Sequence, residues 1–166
     1  LPPFYVVGDA DFLARRARRL DLDVAIAVTE PERAADLFAG HLPVVPLELP
    51  VNAEPGLPDA SSAPAAIASI RRAVADVAAG RAGAVVTNPI AKAVLYREGF
   101  ADPGHTEYLA RLAQEFTGVT AHPVMMLWSS ALAVVPVTVH IALAAVPAAL
   151  TEELIVTTGR IGSKDC

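Results

Sequence analysis

The chain has 166 residues, about one domain, which is enough for a single sizeable core. Hydrophobic residues make up 54% of it and charged residues 19%, a composition that favours burial over disorder. The net charge of −5 argues against nucleic-acid binding, because no basic stripe is available to neutralise several phosphates. The densest basic cluster, Arg15–Leu20, lies in a helical pattern, and we expect it to form a solvated helix face.

The N-terminal third predicts two strands with helices between them. Phe4–Val7 is a short apolar strand that leads through Gly8-Asp9 into a helix over Asp11–Leu20. Asp23–Val28 is a second strand, followed by a short helical stretch that ends at residue 38. The proline-studded segment Pro43–Pro50 is extended, so we expect it at a sheet edge or in a loop. Residues 51–64 form the clearest loop.

The segment "AVVTNPIAK" follows a long amphipathic helix. That helix begins near Ser62 and ends at Gly80, with one apolar face formed by Ile67, Ile70, Val74 and Val77. We then predict a strand over Ala84–Thr87, with Asn88 as the N-cap and Pro89 as the first residue of the next helix. Lys92 adds a positive charge near that helix N-terminus, where an anion can bind. From spacing alone, a capped helix with a solvated lysine is the favoured interpretation.

The segment "DPGHTEYLARL" places a histidine just after a Pro-Gly turn. We predict a helix here that has Leu109, Leu112 and Phe116 on its apolar face and ends near Gly118. An imidazole at the helix entrance can bind a hydroxyl, a carboxylate or a phosphate, so His105 is a candidate ligand-binding residue. Thr106 either contacts a ligand or caps the helix, and local sequence favours the cap. Local sequence alone leaves the role of His105 open.

The C-terminal third predicts an antiparallel pair and a last helix. Val124–Trp128 and Leu132–His140 flank a Ser-Ser turn, and Thr151 opens the final helix. The apolar run Ala131–Leu150 contains two prolines and a histidine, so we interpret it as buried strand and helix rather than a membrane span. The start of the chain lacks the basic region of a signal peptide.

Together these elements predict an α/β/α layered domain with a mixed, mostly parallel sheet. Ligands bind such sheets beyond the carboxyl ends of the strands. This rule selects residues 87–92, residues 104–106 and His140. A metal site needs three or more protein ligands, and nothing at ligand spacing accompanies His140, so its partners would lie elsewhere in the fold or on another chain. The single cysteine, Cys166, cannot form an internal disulfide.

The order of four motifs resembles one known family. The segments T-N-P-I-A-K, P-G-H-T-E, V-M-M-L and T-V-H occur in that order with compatible spacing. This pattern, within residues 80–147, resembles the 4-hydroxythreonine-4-phosphate dehydrogenases of vitamin B6 biosynthesis. The resemblance extends over residues 1–161 and leaves a non-matching tail at 162–166. It implies a partial isocitrate/isopropylmalate dehydrogenase-like fold.

The resemblance also implies a chemistry. Enzymes of this family oxidise the C3 hydroxyl of 4-phosphohydroxy-L-threonine with NAD or NADP and a divalent metal (Zn, Mg or Co), and the product loses CO2 to give 3-amino-2-oxopropyl phosphate. His105 and Thr106 resemble the family's substrate-binding pair, and Lys92 occupies its lysine position. His140 resembles the first of three metal-binding histidines, in a site shared by the two subunits of a cytoplasmic homodimer.

The sequence also departs from the family. Members are about twice this length, about two typical domains. This chain lacks their N-terminal strand and the later segments that carry the other two metal histidines and the nicotinamide region. We therefore expect a fragment or truncated relative that does not turn over alone. Two alternatives are a non-catalytic scaffold or binding domain with the same fold, and a dehydrogenase acting on another phosphorylated hydroxy acid.

Overall fold

The protein is described here by a computed structural model that covers residues 1–57 and 59–163. It confirms the α/β class and divides into two compact units, Leu1–Ala121 and His122–Cys166. Most of the expected tail, including Cys166, lies outside the described residues. No helix among the described residues is long and apolar enough to cross a membrane.

The described residues of the first unit form three parallel strands and five α-helices. The strands are β1 (Val6–Gly8), β2 (Ile26–Val28) and β3 (Leu42–Pro46). The helices are α1 (Ala10–Arg19), α2 (Ala34–Leu37), α3 (Ala63–Ala78), α4 (Lys92–Arg97) and α5 (His105–Thr117). The strand order is β1-β3-β2, with Val6 opposite Val44 and Ile26 opposite Leu42. As predicted, the arginines of α1 lie at its partly or fully exposed surface.

Strand β3 is the central strand, so the prediction of an edge or loop position is wrong for Pro43–Pro46; residues 47–50 lie outside any strand, as predicted. Alternate residues of a parallel strand bond to opposite neighbours: the Leu42 N–H donates to Ala25 in the direction of β2, and the Leu47 N–H donates to Gly8 of β1. By this alternation the missing N–H of Pro43 would point toward β1, at a level before β1 begins. The missing N–H of Pro46 would point toward β2, at a level after β2 ends. Neither proline therefore removes a donor from a paired position.

The core of the first unit lies between α3 and α5 and includes the short helix α4. Its buried side chains are Ala63, Ile70, Val74, Leu95, Phe100, Tyr108 and Leu112. The predicted apolar face of α3 is confirmed. In α5, Leu112 is fully buried but Phe116 is exposed, and Tyr108 is buried instead. Helix α5 ends at Gly118, whose φ of 72° is the left-handed conformation that favours glycine at a helix C-terminus.

Residues 84–91 form neither a strand nor a helix start, so two predictions for this segment are wrong. No strand among the described residues pairs with Ala84–Thr87, and Val86 is 97% exposed. An extended segment becomes a strand only where a neighbour accepts and donates its backbone hydrogen bonds. Asn88 and Pro89 precede the helix without capping it, because α4 begins at Lys92 with Ala91 at the N-cap.

In the second unit, residues 122–163 form a hairpin and two α-helices. The predicted antiparallel pair is confirmed but short, as β4 (Leu127–Trp128) and β5 (Ala133–Val134) in a separate two-stranded sheet. Helix α6 covers Val146–Ala149. Helix α7 covers Glu152–Gly162, and the Thr151 hydroxyl accepts a hydrogen bond from the Leu154 N–H at 3.1 Å, as expected for its cap.

The predicted strand to His140 and the predicted burial of Ala131–Leu150 are both wrong. The strand ends at Val134, and Pro136 follows where a backbone donor would be needed to continue the ladder. His140 has a φ of 57°, a left-handed conformation incompatible with a strand. No residue of Ala131–Leu150 is buried.

Candidate functional site

Of the central candidates Lys92 and His105, both in the first unit, Lys92 lies beside Gly104, the residue that precedes His105. A methyl group built on Gly104 would lie 3.3 Å from Lys92 Nζ and 3.3 Å from Glu107 Oε2. The lysine ammonium therefore lies beside the residue that immediately precedes α5. Lys92 is exposed, and it forms no salt bridge within the described part of the chain.

The N-terminus of α5 carries donors that point out of the helix. Gly104 is the N-cap and has no side chain to accept from the first amides, while its own carbonyl accepts from the Tyr108 N–H at 3.1 Å. The first N–H groups of a helix have no partner within it and carry a partial positive charge. With 13 residues, α5 is long enough to present this end to an anion, and Lys92 adds a full charge beside it.

His105 is the first residue of α5 and has an unsatisfied ring nitrogen. Its Nε2 is buried, and among the residues that the structure describes no atom forms a hydrogen bond with it. Buried polar atoms without partners are uncommon in folded proteins, since each costs the free energy of its lost hydration. An imidazole nitrogen at this position can donate to or accept from a bound hydroxyl or oxyanion.

The other two candidate residues, Thr106 and His140, are both exposed. Thr106 is the second residue of α5 and is exposed, so the expectation that it caps the helix is wrong. The cap position falls to Gly104 because the extended backbone there, with a φ of −174°, precedes the first helical residue. His140 belongs to the second unit and is exposed in an irregular segment.

The described residues do not assemble a metal centre. No group of three or more His, Cys, Asp or Glu side chains in residues 1–57 and 59–163 is arranged to hold an ion. His140 alone falls short of the ligands that a protein metal site requires. The donor set of these described residues by itself therefore does not fit a divalent cation.

Sequence reasoning missed the side chains that hold the turn before α5. Asp102 is 9% exposed and accepts from Arg111 Nε at 3.1 Å and Nη2 at 2.6 Å. The Tyr96 hydroxyl donates to the Pro103 carbonyl at 3.0 Å. These contacts join a loop to helix residues with no regular spacing, so no periodic signal in the sequence marks them.

A second missed cluster surrounds Asp76, whose side chain is completely buried in α3. Its carboxylate accepts from the Tyr5 hydroxyl at 3.0 Å, from Arg72 Nε at 3.0 Å, and from Arg81 Nη2 at 2.7 Å. Burial alone would raise the pKa of Asp76, but the hydrogen bonds from Arg81, Arg72 and Tyr5 together lower it. Burial and the hydrogen bond to Asp76 raise the pKa of Tyr5 to about 12. The i,i+4 spacing of Arg72 and Asp76 is the one local signal for this cluster.

Comparisons with known proteins agree with the motif resemblance. The family model described as "Pyridoxal phosphate biosynthetic protein PdxA" matches residues 1–166. The chain is 58% identical to the 4-hydroxythreonine-4-phosphate dehydrogenase of Bradyrhizobium diazoefficiens, over 97% of this chain and 49% of that protein. It is 53% identical to the enzyme of the same name from Methylorubrum populi, over 99% of this chain and 48% of that one. The chain thus spans about half the length of these curated relatives.

Solved structures agree with the predicted fold. A crystal structure of a 4-hydroxythreonine-4-phosphate dehydrogenase from Burkholderia phymatum superimposes with a TM-score of 0.81 at 30% identity, covering 95% of this chain and 47% of that one. The enzyme of that name from Klebsiella pneumoniae gives 0.78 at 30% identity, covering 96% and 48%. Family model, sequence relatives and structures agree, and the chain belongs to the PdxA family.

Proposed function

We propose that this chain supplies the phosphorylated-substrate binding part of a 4-hydroxythreonine-4-phosphate dehydrogenase. The observation that carries the proposal is the buried, unpartnered Nε2 of His105 at an α5 N-terminus that has Lys92 Nζ beside it. Lys92 and the helix N-terminus offer positive charge and His105 offers a hydrogen bond, which is the chemistry that a phosphate monoester or a carboxylate requires; the Glu107 carboxylate, 3.3 Å from the same Gly104 position, opposes that charge.

The roles of the individual side chains follow from their positions. The N–H groups of the first turn of α5 and the Lys92 ammonium attract the anionic group of the substrate, and both act through charge. His105 Nε2 gains a hydrogen bond when an oxygen of the substrate reaches it, which removes the cost of its unsatisfied burial. The exposed Thr106 hydroxyl, in the same turn, is available for a second contact.

The reaction proposed for the whole protein is the oxidation of the C3 hydroxyl of 4-phosphohydroxy-L-threonine. Hydride passes from C3 to NAD⁺ or NADP⁺, the hydroxyl proton is released, and the β-keto acid loses CO2 to give 3-amino-2-oxopropyl phosphate. A divalent metal such as Zn, Mg or Co would act as a Lewis acid in a complete enzyme. We assign no step to a metal on this chain, and His140 is proposed only as one contributor to a shared site.

The remaining features of the proposal concern assembly and location. A homodimer with a site shared by its subunits would bring His140 to ligands that the described part of one chain does not cluster. We place the complete enzyme in the cytoplasm, where the phosphorylated substrate would be made and used. The isolated chain is expected to bind substrate weakly and to show no NAD-dependent turnover.

The proposal is tested by NMR titration of the ¹⁵N-labelled chain with 4-phosphohydroxy-L-threonine. We expect saturable shifts of the amide signals of residues 104–107, which weaken in Lys92→Met and His105→Ala. The matched controls are Arg97→Met, at the other end of α4, and His41→Ala, an exposed histidine. Equal affinities of all four variants and the wild type would refute the site and favour a non-catalytic scaffold. Tighter binding of a different phosphorylated hydroxy acid would instead indicate that this acid, and not 4-phosphohydroxy-L-threonine, is the substrate.

A further inference from the structure

The turn that leads into α5 is tied back onto α5 itself. Asp102 lies two residues before Gly104, and its partner Arg111 lies six residues beyond His105 in the same helix. The guanidinium donates to both carboxylate oxygens, Nε to Oδ1 at 3.1 Å and Nη2 to Oδ2 at 2.6 Å. This two-point geometry fixes the orientation of the carboxylate as well as its distance, which a single hydrogen bond does not do.

The guanidinium of Arg111 packs against the buried ring of Tyr108. The Arg111 guanidinium lies 5.1 Å from the centroid of Tyr108, which is 3% exposed. The Tyr108 hydroxyl donates to the Ile67 carbonyl in α3 at 3.2 Å, and its ring packs edge-on against Phe100 at 5.0 Å. A continuous set of contacts therefore runs from the α3–α5 core through Arg111 to the turn.

A second arginine–carboxylate pair lies at the other end of α5, where it joins α5 to α3. Arg71 of α3 donates to both oxygens of Glu115, with Nη1 to Oε2 at 2.8 Å, and its guanidinium lies 5.0 Å from the centroid of Phe116. This pair joins two helices and touches no part of the turn at residues 102–105. Both pairs are therefore arginine–carboxylate pairs beside an aromatic ring, but only Asp102–Arg111 connects the turn to α5.

We propose that Asp102 and Arg111 are positioning residues that set the geometry of Gly104 and His105 for anion binding at the α5 N-terminus. This inference rests on the proposed function, since the anion is the substrate's phosphate or carboxylate. A lysine at position 111 keeps the charge and loses the planar fork, so it releases the carboxylate from its fixed orientation. The turn then samples other conformations, and the fraction competent to bind an anion falls.

The test compares Arg111→Lys with Arg71→Lys, and Asp102→Asn serves as a second, independent variant. Circular dichroism first establishes that each variant is folded. The ligand-free readout is the chemical shift of the Gly104 amide and of the His105 imidazole nitrogens. The binding readout is the dissociation constant for inorganic phosphate, measured from the same amide signals. Arg111→Lys and Asp102→Asn should shift the ligand-free signals and weaken phosphate binding about fivefold, and Arg71→Lys should do neither.

The outcomes separate the two proposals. Ligand-free signals that move no more in Arg111→Lys and Asp102→Asn than in Arg71→Lys would overturn the positioning role, whether or not phosphate binds. Unchanged phosphate affinity in both variants of the pair would overturn it as well. A wild-type chain that binds neither phosphate nor 4-phosphohydroxy-L-threonine would defeat the proposed function. In that case, displaced Gly104 and His105 signals would still support the positioning of the turn.

Discussion

Replacing Asp76 by Asn tests whether burial makes this arginine-paired carboxylate important for the stability of the fold. The side chain is completely buried and accepts hydrogen bonds from Tyr5, Arg72 and Arg81. Asparagine has nearly the same volume, so packing is preserved. The negative charge between the two guanidinium groups is lost, and an amide N–H₂ replaces one of the accepting oxygens.

The expected cost follows from the exposure of the partners. Removing one member of a buried ion pair typically destabilises a protein by about 3–5 kcal/mol, because the other charge is left without compensation. The side chains of Arg72 and Arg81 are 33% and 36% exposed, and they also form ion pairs with Glu30 and Glu32, so water and these carboxylates partly compensate them. We therefore expect the lower end of that range, about 3 kcal/mol.

The assay is urea unfolding of the purified chain followed by far-ultraviolet circular dichroism. With a denaturant dependence of about 2 kcal/mol per molar urea, the midpoint should fall by about 1.5 M. Glu115→Gln is the matched control, because it removes an arginine-paired carboxylate that is exposed, and its midpoint should change far less. Equal midpoints for Asp76→Asn and Glu115→Gln would refute the argument that burial makes this carboxylate important.

Four further outcomes follow from the structure. The folded-state pKa of Asp76 lies below its ordinary value of 3.8, so the ionised carboxylate stabilises the fold above about pH 4 and this stabilisation is lost on further acidification. The urea midpoints of wild type and Asp76→Asn should therefore converge as the pH falls below about 4. The pKa of Tyr5 rises from 10.0 to about 12, so stability should fall as pH increases through this range, and Tyr5→Phe should flatten that dependence. Gly104→Ala should change stability by less than about 1 kcal/mol, because the loss of unfolded-chain entropy is offset by the poorer N-cap, and it should weaken phosphate binding, because the new methyl group displaces Lys92 Nζ. Gly118→Ala should cost about 1 kcal/mol in thermal unfolding from its left-handed φ alone, since no heavy atom lies within 4 Å of the new Cβ; an unchanged Tm would contradict this.

Local sequence determined the elements whose signals are complete within a few residues. Helix α3 follows from apolar residues at helical spacing: Ile70 and Val74 of its predicted face are buried, and Ile67 and Val77 are partly buried. The end of α5 at Gly118 and the cap of α7 at Thr151 depend on the conformation or the hydroxyl of one residue, so a short window predicts both. Four motifs in order were enough to indicate the family, which the comparisons confirm.

Tertiary structure decided the strand pairings and side-chain contacts that join residues distant in sequence. Leu42–Pro46 forms the central strand because the N–H groups that Pro43 and Pro46 lack would point past the ends of the neighbouring strands. No local sequence pattern indicates that register. Ala84–Thr87 has strand-like residues and no strand beside it in the described part of the chain. The approach of Lys92 to Gly104, the buried Nε2 of His105 and the bond between Asp102 and Arg111 all depend on how the loop before α5 packs. Sequence therefore supplied the candidate residues of the site, and folding decided which of them lie together, because hydrogen bonds and charges act over a few ångströms regardless of their separation along the chain.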